Sequence, residues 1–281
     1  VSRLSGVSTA TVSRTFSEPD RVRQSTRDKV FEAAAALNYQ PNAIARAMAR
    51  QRTGKLAFII CKKGATILDD FYAGICEGVM MCANSQEYQL VVSTAEDWKQ
   101  LPHSKNVDGA ILAGAAEPSL ITELQKQNVK VVLANYDVPG FDLPHIVSDE
   151  YDGVSQAVEH LYSKGHRNIG MLAGRFSSFI TAERYDAFVS TMKRLGLPIK
   201  ESSIAMSERN IESATCFATE LLSRPERPTA VFAFNDVLAA GVIKAAARLG
   251  LSIPGDVAVV GFDDSPVCPL LEPELTSVHV D

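Results

Sequence analysis

The sequence predicts a small all-α head followed by an α/β body of two doubly wound parallel-sheet subdomains. The chain has 281 residues, which suits about two domains of ordinary size. Residues 1–55 carry a net charge of +6 and the remainder carries −11, so a basic head precedes an acidic body. After residue 55, short apolar runs alternate with amphipathic stretches, a pattern typical of parallel sheets covered by helices on both faces.

The head is predicted to begin with two short helices. Gly6 separates them, and Ser8 is placed to N-cap the second by accepting a hydrogen bond from a free backbone N–H. We expect Val7 and Val12 to face a small core. The residues expected to point outward are Thr9, Ala10, Ser13 and Arg14.

A third helix is predicted to be capped by Ser25 or Thr26 and to end near residues 38–39. Pro41 prevents its simple continuation, and a further Ala-rich helical run covers residues 42–50. The expected domains are therefore a head over 1–41, a hinge helix and linker over 42–54, and a body over 55–281.

In the body, seven apolar runs are predicted to be strands: 56–61, 89–93, 107–113, 129–135, 169–173, 230–234 and 257–262. Five amphipathic stretches are predicted to be helices: 71–83, 153–163, 182–195, 213–222 and 237–249. Residues 147–149 are the predicted passage into the second subdomain, with a cleft between the two.

Composition excludes several classes of protein. A chain with 46% apolar and 22% charged residues is neither disordered nor collagen-like. No apolar run approaches the roughly 20 residues that span a bilayer, and the first residues of the sequence lack the charged-then-apolar pattern of a signal segment, so we expect cytoplasmic residence. The five scattered cysteines suggest neither a disulfide framework nor a zinc site, and we interpret them as buried small hydrophobes.

Motifs for catalysis are missing from the sequence. It has no dinucleotide-binding glycine motif after a strand, no P-loop and no nucleophile elbow. The five histidines lack metal-ligand spacing. We therefore expect no catalytic residues, no metal and no cofactor.

Polar residues follow three predicted strands, where parallel α/β sheets bind ligands. These clusters are Asn135-Tyr136-Asp137, Asn235-Asp236 and Asp263-Asp264. They can exchange hydrogen bonds with the hydroxyls of a neutral ligand. Asn and Asp are also common N-caps and turn residues, so both interpretations stay open.

Two further positions are equally ambiguous. Arg184, near the start of a predicted helix, is either a ligand contact or a surface salt-bridge residue. Phe71 and Tyr72 open the first body helix and either stack on a flat ligand or pack in the core.

Several motifs, taken in order, resemble one family. Residues 4–14, 25–30 and 38–46 closely resemble the DNA-binding head and hinge of the LacI/GalR family of bacterial repressors. Residues 107–111, 164–170, 183–184, 234–241 and 261–264 resemble that family's body motifs in the same order. The resemblance runs from end to end, and the ordered series is far more specific than any single motif.

The resemblance implies a helix-turn-helix head whose second helix enters the major groove of DNA. Arg14 would pair with guanine while Thr9 and Ala10 touch neighbouring base edges. The residues implied to contact phosphates are Ser8, Thr11, Ser13 and Asn42. Met48 matches the apolar side chain that wedges into the minor groove, where the family commonly has leucine.

For the body, the resemblance implies a periplasmic-binding-protein-like sensor that closes on a small effector, such as a sugar or nucleobase. The best-matched effector contacts are Arg184, Asn235 and Asp263. The weaker ones are Phe71, Tyr72, Asn135, Tyr136, Asp149, Asp152 and Phe232. This set of residues suits a polyhydroxylated ligand.

The implied function is a transcriptional regulator, expected to be a repressor, in the bacterial cytoplasm and associated with the nucleoid. We expect a homodimer on a pseudo-palindromic operator, with a tetramer left open. An α/β sugar-modifying enzyme, a solute-binding protein and a sequence-independent structural DNA binder are the alternatives.

The chain departs from the family at three places. It begins inside the expected first helix and stops before the expected last helix and strand, so both termini are expected to be incomplete. Residues 97–106 are too few for the helix usual at that point, and this leaves Trp98 and His103 without a clear position.

Overall fold

The computed structural model of the protein describes residues 1–39, 52–61, 70–99, 107–174 and 179–281. They form a helical head and two five-stranded parallel sheets, which confirms the predicted fold class. The predicted helix over 42–50 lies outside the described residues, as do Asn42, Met48 and His103.

Three helices make up the described head. They are α1 (Ser2–Ser5), α2 (Thr9–Ser17) and α3 (Gln24–Ala36). The rings of Phe16 and Phe31 meet edge to face with centroids 5.5 Å apart, which joins α2 to α3.

The predicted cap of α3 is wrong. The helix begins at Gln24 after Arg23, and no side chain caps it by a hydrogen bond. Arg27 in its first turn donates instead to the carbonyl of Pro19 at 3.2 Å. The start of α3 therefore coincides with a hydrogen bond to the preceding turn, and the local sequence contains no capping residue that would indicate it.

The first subdomain contains a sheet with strand order β2-β1-β3-β4-β5. Its elements are β1 (Lys55–Ile60), α4 (Asp70–Ser85), β2 (Gln89–Thr94), α5 (Ala95–Trp98), β3 (Gly109–Ala113), α6 (Pro118–Lys126), β4 (Lys130–Ala134) and β5 (His145–Ile146). Trp98 is 4% exposed and packs into this subdomain's core with Leu112 and Leu133. The side chain that the sequence leaves unplaced is therefore a core residue.

The second subdomain contains a sheet with strand order β10-β9-β8-β6-β7. Its elements are α7 (Glu150–Ser163), β6 (Ile169–Gly174), α8 (Phe179–Arg194), β7 (Ile204–Ser207), α9 (Ile211–Leu222), β8 (Ala230–Ala233), α10 (Asp236–Arg248), β9 (Ala258–Asp263) and β10 (Thr276–His279). Helices α7 and α8 cover one face and α9 and α10 the other, which gives two apolar cores. The chain enters this subdomain between Ile146 and Glu150, at the predicted passage.

Some elements differ from the prediction. The seven predicted strands are all present, but β5, β7 and β10 are additional edge strands of two to four residues. Edge strands this short carry too little periodicity to be recognised in a sequence. Helices α5 and α6 are also absent from the predicted set.

The interpretation of the cysteines is only partly right. Cys61 and Cys268 are buried, but Cys76 is half-buried and Cys82 and Cys216 are exposed. The last three lie on helices, whose outer faces reach solvent. Among the described helices, none is both long and apolar enough to cross a membrane.

Candidate functional sites in the head and the cleft

Helix α2 carries four predicted DNA-contacting side chains on its exposed face. Thr9 and Ser13 are four residues apart, as are Ala10 and Arg14, so each pair occupies neighbouring positions on the helix surface. All four are exposed, whereas Val12 on the opposite face is buried. A polar ridge on a packed helix has the form needed to enter a major groove.

Ser8 fixes the start of α2, as predicted. Its hydroxyl accepts a hydrogen bond from the backbone N–H of Thr11 at 3.1 Å. The hydroxyls of the two residues also lie 2.9 Å apart. The cap therefore fixes the helix N-terminus, and a helix N-terminus favours a nearby anion such as a phosphate.

A cavity of about 1540 Å³ lies between the two subdomains. Six predicted effector residues line it: Phe71, Asn135, Asp149, Asp152, Asn235 and Asp263. The cavity exceeds the roughly 300–1,000 Å³ of common small-molecule sites, so it has room for a ligand and ordered water. The structure thus gathers side chains from distant parts of the sequence around one space.

Arg184 is a buried charged side chain held by three hydrogen bonds beside this cleft. It is 3% exposed, and its Nε donates to Glu150 Oε2 at 2.5 Å. Nη1 donates to the carbonyl of Phe234 at 2.5 Å, and Nη2 donates to Asp263 Oδ1 at 3.1 Å. Because two carboxylates and one carbonyl hold the guanidinium, Arg184 is not a surface salt-bridge residue.

Aromatic rings complete the surroundings of Arg184. Its guanidinium carbon lies 3.6 Å from the ring centroid of Phe262 and 4.6 Å from that of Phe234. Arg209 lies 4.9 Å from the same Phe234 ring. These contacts attract the cations through the ring faces and fix the guanidinium plane.

Backbone geometry also distinguishes the strand ends. Asn135, Asp263 and Asp264 have positive φ angles of 59°, 102° and 51°. Such conformations are uncommon for residues other than glycine, and they concentrate at functional sites. The polar clusters after β4 and β9 are therefore held in unusual conformations at the cleft.

Asp149 and Asn235 act as helix N-caps. Asp149 Oδ1 accepts from the N–H of Asp152 at 2.9 Å, and Asn235 Oδ1 accepts from the N–H of Leu238 at 3.0 Å. Both residues also line the cavity. The two interpretations left open by the sequence are therefore compatible, since capping uses one carboxylate oxygen of Asp149 and the carbonyl oxygen of Asn235 but not their other polar atoms.

Four predicted effector residues do not line the cavity. Tyr72 is 7% exposed, and Tyr136 packs against the first subdomain's core. Arg184 is buried in its ion-pair network next to the residues that line the cavity. Phe232 is fully buried and stacks on Phe188 with centroids 6.2 Å apart. Phe232 lies in β8, all four of whose residues are buried, and this places its ring in the core.

The sequence reasoning missed Glu150 and Arg209. Glu150 is 4% exposed and accepts from both Arg184 and the hydroxyl of Ser148, the latter at 2.8 Å. An acidic residue in the first turn of a helix is ordinarily interpreted as a residue that interacts favourably with the helix dipole. Nothing in the local sequence indicates that this one is buried against an arginine 34 positions away.

We expect the contribution of Asp263 to the free energy of unfolding to fall as pH rises between about 4 and about 6. Burial raises the pKa of Asp263 from 3.8 to about 6, Arg184 opposes that rise, and Asp236 adds to it. In this window the folded state holds more protons than the unfolded state, so raising the pH lowers the free energy of unfolding. Urea unfolding at several pH values should show that the free energy of unfolding of the wild type, relative to that of Asp263→Asn, falls across this window.

Asp256→Asn is a control of opposite sign. Hydrogen bonds from Ser252 lower the pKa of Asp256, so this carboxylate stabilises the fold above its unfolded pKa and loses that effect as pH falls. The difference between wild type and this variant should therefore rise with pH. Equal unfolding profiles for the wild type and Asp263→Asn would mean that Asp263 titrates alike in both states.

Comparison with known families matches both parts of the chain. Residues 1–42 match the family described as bacterial regulatory proteins of the lacI family. Residues 158–281 match the periplasmic binding protein-like domain.

Curated relatives are regulators. The HTH-type transcriptional repressor CytR of Escherichia coli strain K12 is 31% identical over 280 residues, which cover 97% of this chain and 81% of CytR. Catabolite control protein A of Priestia megaterium is 33% identical over 287 residues, covering 99% of this chain and 85% of that protein.

Solved structures show the same architecture. The lac repressor dimer bound to operator and the anti-inducer ONPF has a TM-score of 0.83 at 25% identity, covering 100% of this chain and 86% of that chain. The transcriptional regulator CelR in complex with cellobiose has a TM-score of 0.73 at 29% identity, covering 99% of this chain and 86% of that chain. The likeness extends from the head through both subdomains.

Proposed function

We propose, since this chain belongs to the LacI family of bacterial transcriptional regulators, that a small polyhydroxylated effector in the cleft controls its affinity for operator DNA. Family membership makes the chain a DNA-binding transcriptional repressor. The enzyme alternative is wrong, because the relatives regulate transcription.

The observation that carries the effector proposal is the buried arginine network beside a polar cleft. Arg184 is held by Glu150 and Asp263, and Asp263 also lines the cavity. Carboxylate and amide groups on strand ends can bond to several hydroxyls, while Phe71 offers a ring face to an apolar side of a sugar. The structural relative in complex with cellobiose favours a sugar for this chain as well.

For the DNA side, we assign base contacts to Thr9, Ala10 and Arg14. The phosphate contacts assigned are Ser8, Thr11, Ser13 and Asn42, with Met48 as the minor-groove wedge. A homodimer presents two such heads to a pseudo-palindromic operator, which doubles the specific contacts of one head. The protein acts in the bacterial cytoplasm, associated with the nucleoid through its operators, and its head, linker and body divide at residues 41 and 54.

Effector control requires two conformations. An effector changes operator affinity only if it binds more tightly to one arrangement of the subdomains than to the other. Its contacts come from both subdomains, since Asn135 follows β4 of the first sheet and Asp263 ends β9 of the second. Closure of the cleft on the ligand therefore has a physical basis in these opposed polar groups.

A thermal-shift screen of the full chain against neutral sugars, sugar phosphates, nucleosides and purines tests this proposal. A bound ligand at about 100 times its dissociation constant should stabilise the fold by about 2.7 kcal/mol. We expect a hit among neutral sugars. A screen in which no compound stabilises the protein would contradict the effector proposal.

Asn235→Ser and Asn210→Ser are a matched pair for this screen. Both asparagines cap a helix through Oδ1, at 3.0 Å for Asn235 and 2.9 Å for Asn210, and serine can replace that cap. Only Asn235 lines the cavity. Ligand stabilisation should fall in Asn235→Ser and persist in Asn210→Ser, and equal responses would remove Asn235 from the site.

A further inference from the structure

Asp108 makes a long-range contact at the point where the body begins. Its Oδ1 accepts hydrogen bonds from the N–H and the hydroxyl of Thr53, at 2.7 and 3.0 Å. Its Oδ2 accepts from the N–H of Gly54 at 2.9 Å. One carboxylate therefore binds three donors that lie 54 or 55 positions earlier in the chain.

The contact lies at the amino edge of the first sheet. Asp108 precedes β3, the middle strand of five, and its N–H donates to the carbonyl of Lys55 at 2.8 Å. Thr53 and Gly54 precede β1, and the Gly54 carbonyl accepts from the N–H of Gln89 at 2.9 Å. The effector cleft lies at the opposite, carboxyl edge of the sheet.

The geometry at Thr53 and Gly54 defines a direction for the chain. Two successive N–H groups point at two oxygens of one carboxylate, and such charge-assisted pairs are strong and geometrically specific. Gly54 has a φ of 68°, a left-handed conformation that other residues rarely adopt. The chain therefore enters β1 at a fixed angle relative to the central strand.

We propose that Asp108 is a positioning residue for operator binding, which sets the direction in which the linker leaves the first subdomain toward the head. Strands β1 and β3 run without interruption from this joint to the cleft edge, where Gly114 follows β3. A displacement of the sheet is then passed to the linker instead of being absorbed at a loose joint. With two heads on one operator, their separation depends on this angle in each protomer.

Asp108→Asn in the full chain tests the proposal. Asparagine has the same shape, but its amide nitrogen cannot accept a hydrogen bond from the N–H of Gly54. One hydrogen bond is therefore replaced by an unfavourable contact between two N–H donors. We expect affinity for a duplex selected in vitro with the wild type to fall about tenfold or more, while affinity for an unselected duplex changes less than about twofold. We also expect faster tryptic cleavage after the exposed Arg52.

Trp98 separates positioning from a merely structural effect. It is the only tryptophan of the chain and is buried in the first subdomain, so its emission reports on that core. The proposal is supported if the emission of Trp98 is unchanged while the ratio of the affinity for the selected duplex to the affinity for the unselected duplex falls. Shifted emission with equal losses for both duplexes would overturn it, as would a variant with the wild-type ratio and the wild-type cleavage rate.

Three more variants sharpen the test. Thr53→Val removes the hydrogen bond from this hydroxyl to Asp108 at 3.0 Å and the one that it accepts from the Lys55 N–H at 3.2 Å, and it should give an intermediate loss. Thr53→Ser keeps the hydroxyl and should retain the wild-type ratio. Asp142→Asn makes the same charge change at an exposed position of the first subdomain. It should leave both affinities unchanged, and a loss there equal to that of Asp108→Asn would attribute the effect to net charge and overturn the assignment.

Discussion

Replacing Arg184 with methionine is expected to lower the free energy of unfolding by about 3–5 kcal/mol, a large part of the stability of an ordinary domain. The change removes the cation that Glu150 and Asp263 share, and the side chains of these two residues are only 4% and 13% exposed. Unpaired buried charges are costly, because they have lost water and gained no partner. Urea unfolding followed by circular dichroism measures the effect.

Arg194→Met is the matched control on the same helix. Arg194 pairs with Glu159 at 2.7 Å, but both side chains are about half exposed. Exposed ion pairs contribute about 0–1 kcal/mol, so this variant should unfold almost like the wild type. Equal losses from the two variants would show that burial of Arg184 does not govern its contribution.

A second substitution distinguishes lost charge pairing from lost packing. Adding Glu150→Gln to Arg184→Met removes one of the two unpaired carboxylates and should restore part of the stability. Lowering the pH should also narrow the gap between Arg184→Met and wild type, since protonation neutralises the stranded groups. A double variant no more stable than the single one would assign the loss to packing against Phe234 and Phe262.

How much of this site is predictable depends on the range of the interactions. The polar residues after β4, β8 and β9 follow from a local rule, because strands alternate with helices and parallel sheets bind ligands at their carboxyl ends. The cap by Ser8 is equally local, spanning three residues. Such features can be read from a single sequence because donor and acceptor are near neighbours.

Features that depend on distant contacts could not be predicted in the same way. Glu150 meets Arg184 across 34 positions, and Asp263 meets it across 79. The start of α3 at Gln24 lacks a side-chain cap, and β5 has only two residues. In each case the local sequence indicates the feature weakly or indicates a different one, and contacts made in the tertiary structure determine the outcome.

Arg14→Ala is expected to abolish most sequence-specific DNA binding while leaving effector affinity unchanged. Arg14 is exposed on α2, a position from which its guanidinium can offer two N–H groups to guanine. Each such pair contributes about 1–3 kcal/mol of discrimination, and a dimer has two. Fluorescence anisotropy at fixed salt, with a duplex selected in vitro by the wild type, measures the loss.

Two comparisons identify the contact that Arg14 makes. Arg14→Lys keeps the charge but lacks the planar fork, so it should bind unselected DNA normally and still discriminate poorly. Arg248→Ala removes a charge from an exposed position at the end of α10 and should not affect either duplex. If Arg14→Ala instead weakened selected and unselected duplexes equally, Arg14 would be a phosphate contact, because backbone contacts carry no direct sequence information.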